Sequence, residues 1–222
     1  MTIADHIKEL HQELDPKGVQ LVAVSKFHPV EKLIEAYEAG QRIFGESRVQ
    51  ELVAKRPNLP ADTRWHFIGH LQTNKVKQII GNVELIESVD TIHLLDIIDE
   101  ESAKKGVITK VLMQLHVAQE ETKYGFSVDE LLDYFATRQF EKLKATHICG
   151  VMGMASNTDD TDRIRCDFTT IKNTFDKILA LCPDLRGFDT ISMGMSDDYE
   201  IAIDCGSNLV RIGTDIFGQR EY

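Results

Sequence analysis

Three short stretches carry residue types that could together hold a phosphorylated aldehyde. "QLVAVSKFHP" (20–29) has the β-branched and small apolar composition of a strand buried on both faces, yet it ends in Lys26. A neutral amine attacks a carbonyl carbon and forms an imine with it. "ISMGMSDD" (191–198) sets Ser192 and Ser196 around a glycine, and "VRIGTD" (210–215) brings Arg211, Gly213 and Thr214. Hydroxyls, a glycine that admits close backbone approach and the free N–H groups of a helix start suit a small anion such as phosphate. Each stretch also has an ordinary explanation: Lys26 can end a strand and snorkel to water, and Ser196 can simply cap the helix DDYEIAIDC that stops at Gly206. The choice depends on whether the fold brings the three together.

The elements that must position them follow one rhythm. Eight short apolar runs alternate with longer amphipathic segments: 21–26, 42–46, 64–69, 84–89, 110–117, 147–154, 190–195 and 209–213. Their starts lie roughly 27 residues apart on average, the length of a strand, a helix and two short loops. Punctuation supports the helices between them. Pro29 opens one that Gly40 stops, Asp90 caps HLLDIIDEESAKK before Gly106, and Ser127 with Glu130 makes a capping box for LLDYFATR. Thr158 or Asp159 opens a long helix toward Leu181, and the acidic run Asp159, Asp160 and Asp162 reads as its charged first turn. Nothing helical is expected after the eighth run, and residues 3–14 are expected to cover the seam between the last and first strands.

Eight strands and eight helices in 222 residues fit an α/β fold, a (β/α)8 TIM barrel, as a single domain spanning 1–222. The rival is an open doubly wound sheet, but no GxGxxG follows the first run and no GxxxxGK[ST] occurs anywhere. Barrel closure makes strand 1 the neighbour of strand 8, ~4.8 Å away, so Lys26 would stand at the rim beside the two loops that suit phosphate. That adjacency favours the imine reading over the snorkelling one. Imine formation needs the neutral amine, so the site is expected to lower Lys26 from ~10.4 through burial and the nearby Arg211.

Composition narrows the partners. The formal net charge of −11 opposes nucleic acid and anionic membranes as main partners. No run reaches the ~18 apolar residues of a membrane span, and the start MTIADHIKELHQELD does not resemble a signal peptide, which predicts a cytoplasmic protein. Cys149, Cys166, Cys182 and Cys205 lack the short spacings of a zinc site and read as reduced thiols. His66 and His70, four apart in an extended strand, would lie roughly 13 Å from each other, too far to share a metal unless the strand ends between them. Trp65 and Phe67 read as core.

The stretches AVSK, FGESRVQE, WHFIGHLQTNK, ETKYGF, GVMGM, SMGMSDD and RIGTDIFG, in this order, closely resemble the pyridoxal phosphate homeostasis family from about residue 5 to residue 219. The resemblance implies a type III PLP-binding barrel, similar to the amino-terminal domain of alanine racemase. It implies pyridoxal 5′-phosphate (PLP) as cofactor, held as a Schiff base on Lys26. Ser192, Ser196, Gly213 and Thr214 match the phosphate-contacting segments, and Arg211 matches the arginine facing the pyridine nitrogen. Lys123 matches a basic residue near the phenolic oxygen, or is a surface lysine paired with Glu120 or Glu121. Two departures alter the rim: Ser47 stands where the family usually has asparagine, and Ala118 and Gln119 lie where many members have asparagine.

The implied role is intracellular PLP (vitamin B6) and amino-acid homeostasis, with PLP-dependent enzymes as recipients; an acidic single-domain barrel without an evident dimerisation segment is expected to be a monomer. Arginine stays cationic and cannot accept a proton, so Arg211 would leave the pyridine nitrogen unprotonated and the cofactor a weak electron sink. Racemisation also needs a second acid–base group within ~3 Å of the reacting carbon. In alanine racemase a second domain supplies it, and a chain filled by one barrel has none. Little or no turnover follows. The alternatives are a slow amino-acid racemase that recruits Tyr124 or Lys123, and a Schiff-base aldolase acting on a phosphorylated sugar.

Overall fold

The computed structural model describes residues 2–120 and 124–218. All eight apolar runs form strands: β1 (Gln20–Val24), β2 (Ile43–Glu46), β3 (Arg64–Phe67), β4 (Leu85–Val89), β5 (Thr109–Leu115), β6 (Thr146–Gly153), β7 (Thr190–Ser192) and β8 (Leu209–Ile212). They pair in chain order into a closed parallel barrel. β1 meets β8 in the register Gln20↔Leu209, Leu21↔Val210, Val22↔Arg211 and Ala23↔Ile212. That closure rules out the open sheet.

Alternation along the strands separates two cores. Val22, Ile43, Leu85, Leu112, Cys149, Met152 and Leu209 form one apolar cluster inside the barrel. The alternate residues Leu21, Ala23, Phe44, Trp65, Phe67, Ile86, Ile191 and Val210 join the larger core under the helices. The same period of two turns His66, Glu87, Ser192 and Arg211 into the barrel and Glu46 out of it. All five are buried.

The helices are α1 (Ile3–Leu14), α2 (Val30–Glu38), α3 (Val49–Lys55), α4 (Val76–Ile79), α5 (Ile92–Lys105), α6 (Val128–Ala136), α7 (Thr161–Leu181), α8 (Tyr199–Asp204) and α9 (Thr214–Phe217). α1 buries Ile7, Leu10 and Leu14 and packs on β1, α2 and α9, so it covers the closing seam as expected. The Ser127–Glu130 capping box is present.

Three expected helix starts shift. Thr91, not Asp90, caps α5, its hydroxyl accepting the Leu94 N–H at 3.2 Å, because the Asp90 carboxylate is taken by His70 Nδ1 at 2.8 Å. Asp160, rather than Thr158 or Asp159, caps α7 by accepting from the N–H groups of Asp162 and Arg163. α8 begins at Tyr199 instead of after Ser196, because Asp198 Oδ1 first takes the Met195 N–H at 2.6 Å and folds a turn. Ser196 is therefore a loop residue. α9 is a further correction: TDIF forms one helical turn after β8, too short to show periodicity in the sequence.

Candidate cofactor site

β1 ends at Val24, so Lys26 stands on a turn two residues beyond the strand. The Ser25 N–H reaches Gly45 O at 3.0 Å, continuing the β2 ladder by one bond. The chain then reverses through a turn closed by His28 N–H to Ser25 O at 3.1 Å. Phe27 takes φ +67°, a left-handed conformation that a bulky residue rarely adopts. Beyond it, the buried His28 ring lies 5.0 Å from Phe217 of α9. Lys26 is half-buried and lines a pocket of about 230 Å3 at the carboxyl ends of the strands.

The same pocket is lined by Ser47, Ser196, Arg211, Gly213 and Thr214, with Val24, Ile68 and Met154 as apolar walls. Six of the residues singled out from the sequence thus converge. Gly213 is needed by close approach: a Cβ there would lie 3.2 Å from both Cβ and O of Val24, where the ends of β8 and β1 meet. Gly194, at φ +98°, gives the preceding loop its reversal. The Asp197 carboxylate also lines the pocket. Nearby, burial pushes the Asp215 carboxyl up and the Asp197 charge adds to this, while His6 and the Ser196 hydroxyl oppose it.

Ser192 lies elsewhere. It is fully buried inside the barrel, where its hydroxyl accepts from Arg211 Nη1 and donates to Glu87 Oε2 at 2.6 Å. Arg211 Nη2 donates to Gly153 O at 2.9 Å, and Glu87 Oε2 lies 3.9 Å from Nη1. The other Glu87 oxygen meets His66 Nδ1 at 2.6 Å. Burial alone would push the Glu87 carboxyl up, but contact with His66, the Arg211 charge and the Ser192 hydroxyl outweigh it and hold it below its ordinary value. Burial pushes the Arg211 guanidinium down, with Glu87 and Asp198 opposing. Of the two serines, Ser196 faces the pocket and Ser192 braces Arg211.

Glu87 is the residue that sequence reasoning passed over, and His66 was weighed there only as a metal ligand. The available signal was a charged or titratable residue inside an otherwise apolar run, ELIESV and RWHF, at positions whose parity points into the barrel. Lys123 lies outside the described residues. Its neighbour Tyr124 is exposed and stacks on His70, ring centroids 3.8 Å apart. β3 does end between His66 and His70, at Phe67, and each histidine is engaged by its own carboxylate, Glu87 and Asp90. Gln119 does not line the pocket; its N–H donates to Ser156 Oγ at 3.0 Å.

The residues present fit a phosphorylated pyridine aldehyde. The pocket offers one amine, two hydroxyls and a close-approach glycine on the β7 and β8 side, a buried guanidinium, and apolar walls for a ring. A wider cleft of about 550 Å3 between α5 and the segment after α6 mixes Asp96, Asp99, Glu100, Lys104 and Lys142 at the surface, with no glycine, serine or threonine among its lining residues.

Comparison with known proteins agrees with this geometry. Residues 1–221 match the family model of the alanine racemase N-terminal domain. The chain is 37% identical to the pyridoxal phosphate homeostasis protein of Pasteurella multocida, over 100% of this chain and 99% of that one. Among solved structures, PipY of Synechococcus elongatus with PLP bound superposes with a TM-score of 0.88 at 33% identity, covering 98% of this chain and 100% of PipY. Alanine racemase from Streptomyces coelicolor shares the fold, with a TM-score of 0.78 at 17% identity. There the match covers 97% of this chain and 57% of the racemase. No helix among the described residues is long and apolar enough to cross a membrane.

Proposed function

The chain belongs to the family of pyridoxal phosphate homeostasis proteins, and from that membership we propose that it binds PLP as a Schiff base on Lys26 and serves intracellular PLP and amino-acid homeostasis. One observation carries the reading: the Lys26 turn and the β7 and β8 loops, distant in sequence, line one pocket together with Arg211. The cofactor supplies an aldehyde that condenses with amines and a ring that can withdraw electrons. Lys26 provides the amine. The Ser196 and Thr214 hydroxyls and the backbone at Gly213 hold the phosphate. Ser47, at the end of β2, contributes a shorter polar side chain to the rim than asparagine would.

Arg211 governs how far the site can go. Held by Ser192, Gly153 and Glu87, it keeps its cation at the pocket floor, offers only donors and leaves a pyridine nitrogen without a proton. Such a site retains a cofactor better than it drives proton removal from a bound amino acid. The barrel lies wholly within residues 1–222, which act as one cytoplasmic, monomeric carrier domain with PLP-dependent enzymes as recipients.

Titrating the protein with PLP tests the binding. The visible imine band should appear in the native chain and be lost in Lys26→Ala, with the fold intact by circular dichroism. A band of equal strength in Lys26→Ala would refute the assignment. A second reading, slow racemisation, draws on the exposed Tyr124 stacked over the His70–Asp90 pair at the same rim. Incubation with L-alanine in deuterium oxide separates the two. The carrier reading predicts α-proton exchange no faster than free PLP produces, and rapid exchange that Tyr124→Phe abolishes favours the racemase.

A further inference from the structure

The turn that carries Lys26 is gripped from outside the barrel by a second buried charge cluster. Lys55, the last residue of α3, is buried and uses all three of its donors. It reaches Glu46 Oε1, Glu51 Oε2 and the Ser25 carbonyl, each at 2.8 Å. The Phe27 N–H donates to that same Glu51 oxygen at 2.8 Å. Ser25 Oγ donates to Glu46 Oε1 at 2.7 Å, and the Arg48 guanidinium lies 4.5 Å from the Phe27 ring centroid. The backbone is therefore fastened immediately before and immediately after Lys26.

An ion pair needed only to dock α3 on β2 would be complete with Lys55 and Glu46. Here the third Lys55 donor and the Glu51 carboxylate are directed to the lysine turn, whose Phe27 holds a positive φ. Buried ion pairs are poor stabilisers, because desolvation offsets most of their attraction. Glu46 shows that cost: its Oε2 is buried with no hydrogen-bond partner among the described residues. Backbone held in a sparsely populated conformation persists only where its surroundings over-determine it.

We propose that Lys55, gripped by Glu46 and Glu51, is a positioning residue for Lys26: it fixes the Ser25–His28 turn so that the Lys26 amine is aimed into the pocket before any cofactor arrives. The proposal rests on the reading of Lys26 as the amine that holds PLP. A preorganised amine loses less freedom on forming the imine, so loosening the clamp weakens imine formation without removing the nucleophile.

The test uses the full chain as Lys55→Met and as Glu51→Gln. Two quantities are read: the equilibrium constant for imine formation with PLP, and hydrogen exchange at the Phe27 and His28 amides in cofactor-free protein. Lys55→Met should weaken the imine about tenfold and speed exchange at Phe27 by a similar factor, with core amides such as Ile86 unchanged. A wild-type imine constant in folded Lys55→Met, whatever the exchange at Phe27, would overturn the proposal. If Lys55→Met does not fold, Glu51→Gln carries the same test with an effect of about threefold, and unchanged values there refute it equally. Failure of the underlying reading looks different: the native protein then forms no imine on Lys26, while exchange at Phe27 still reports on the clamp.

Discussion

Two buried charge clusters brace the pocket from opposite sides of the barrel wall. Inside, Arg211, Ser192, Glu87 and His66 come from four different strands and form a chain of hydrogen bonds from the pocket floor to β3. Outside, Lys55, Glu46 and Glu51 come from β2 and α3 and close on a turn. The hydrogen bonds of the inner cluster link residues up to 105 positions apart, the outer one residues of a single βα unit and the turn beside it. The inner chain leaves none of its carboxylate oxygens without a contact, whereas the outer one leaves Glu46 Oε2 without a partner. The difference separates their roles. The inner cluster sets a fixed charge in rigid strands, and the outer one restrains a segment that would otherwise relax.

The largest break in this comparison should come from Glu87→Ala. It leaves the Arg211 cation buried without its counter-charge and should cost about 3–5 kcal/mol in urea unfolding, the range for stranding one partner of a buried pair. Next come the two serines. Ser192→Ala, inside, removes both an acceptor for Arg211 and a donor to Glu87, and should cost about 1–3 kcal/mol. Ser25→Ala, outside, takes a donor from Glu46 Oε1, which keeps Lys55, and should cost only about 1 kcal/mol. Equal costs would mean that the clusters are energetically alike.

The smallest and most discriminating effect is in pH. Glu87 is held below the ordinary value of 4.5, so its contribution to stability is present above pH 4.5 and is lost as pH falls through its lower folded value. Burial pushes Glu46 above 4.5 despite the opposing Lys55 and Ser25, so its ionisation penalises the fold. That penalty is complete above its raised folded value and disappears as pH falls to 4.5. Urea midpoints across pH should therefore show Glu46→Gln gaining on the native chain as pH rises above 4.5. The advantage of the native chain over Glu87→Gln should shrink as pH falls below 4.5. Two variants moving in the same direction would contradict the contrast.

Strands and site motifs were readable because they are local. Eight apolar runs separated by helical segments point to a barrel, and its closure is what brings Lys26 beside Gly213 and Thr214. The bracing was not readable for the opposite reason. Whether Glu87 meets Arg211 or Ser192 depends on register across half the barrel, which no local pattern encodes. Ser192 and Ser196 look interchangeable in "SMGMS" and share one parity; they differ because β7 ends at Ser192, which turns inward, while the loop reversed at Gly194 carries Ser196 to the pocket. At the helix starts, adjacent capping types compete: Asp90 and Thr91 are both competent, and a histidine 20 residues away decides between them. Glu51 and Lys55 were visible as an i, i+4 pair, but their grip on Ser25 and Phe27 belongs to tertiary structure.

The most direct test of the central claim is borohydride reduction of the PLP-loaded protein followed by peptide mass mapping. The account predicts one pyridoxyl adduct, on Lys26 in the peptide containing AVSKF. An adduct on Lys55, Lys123 or any other lysine, with Lys26 unmodified, would contradict it.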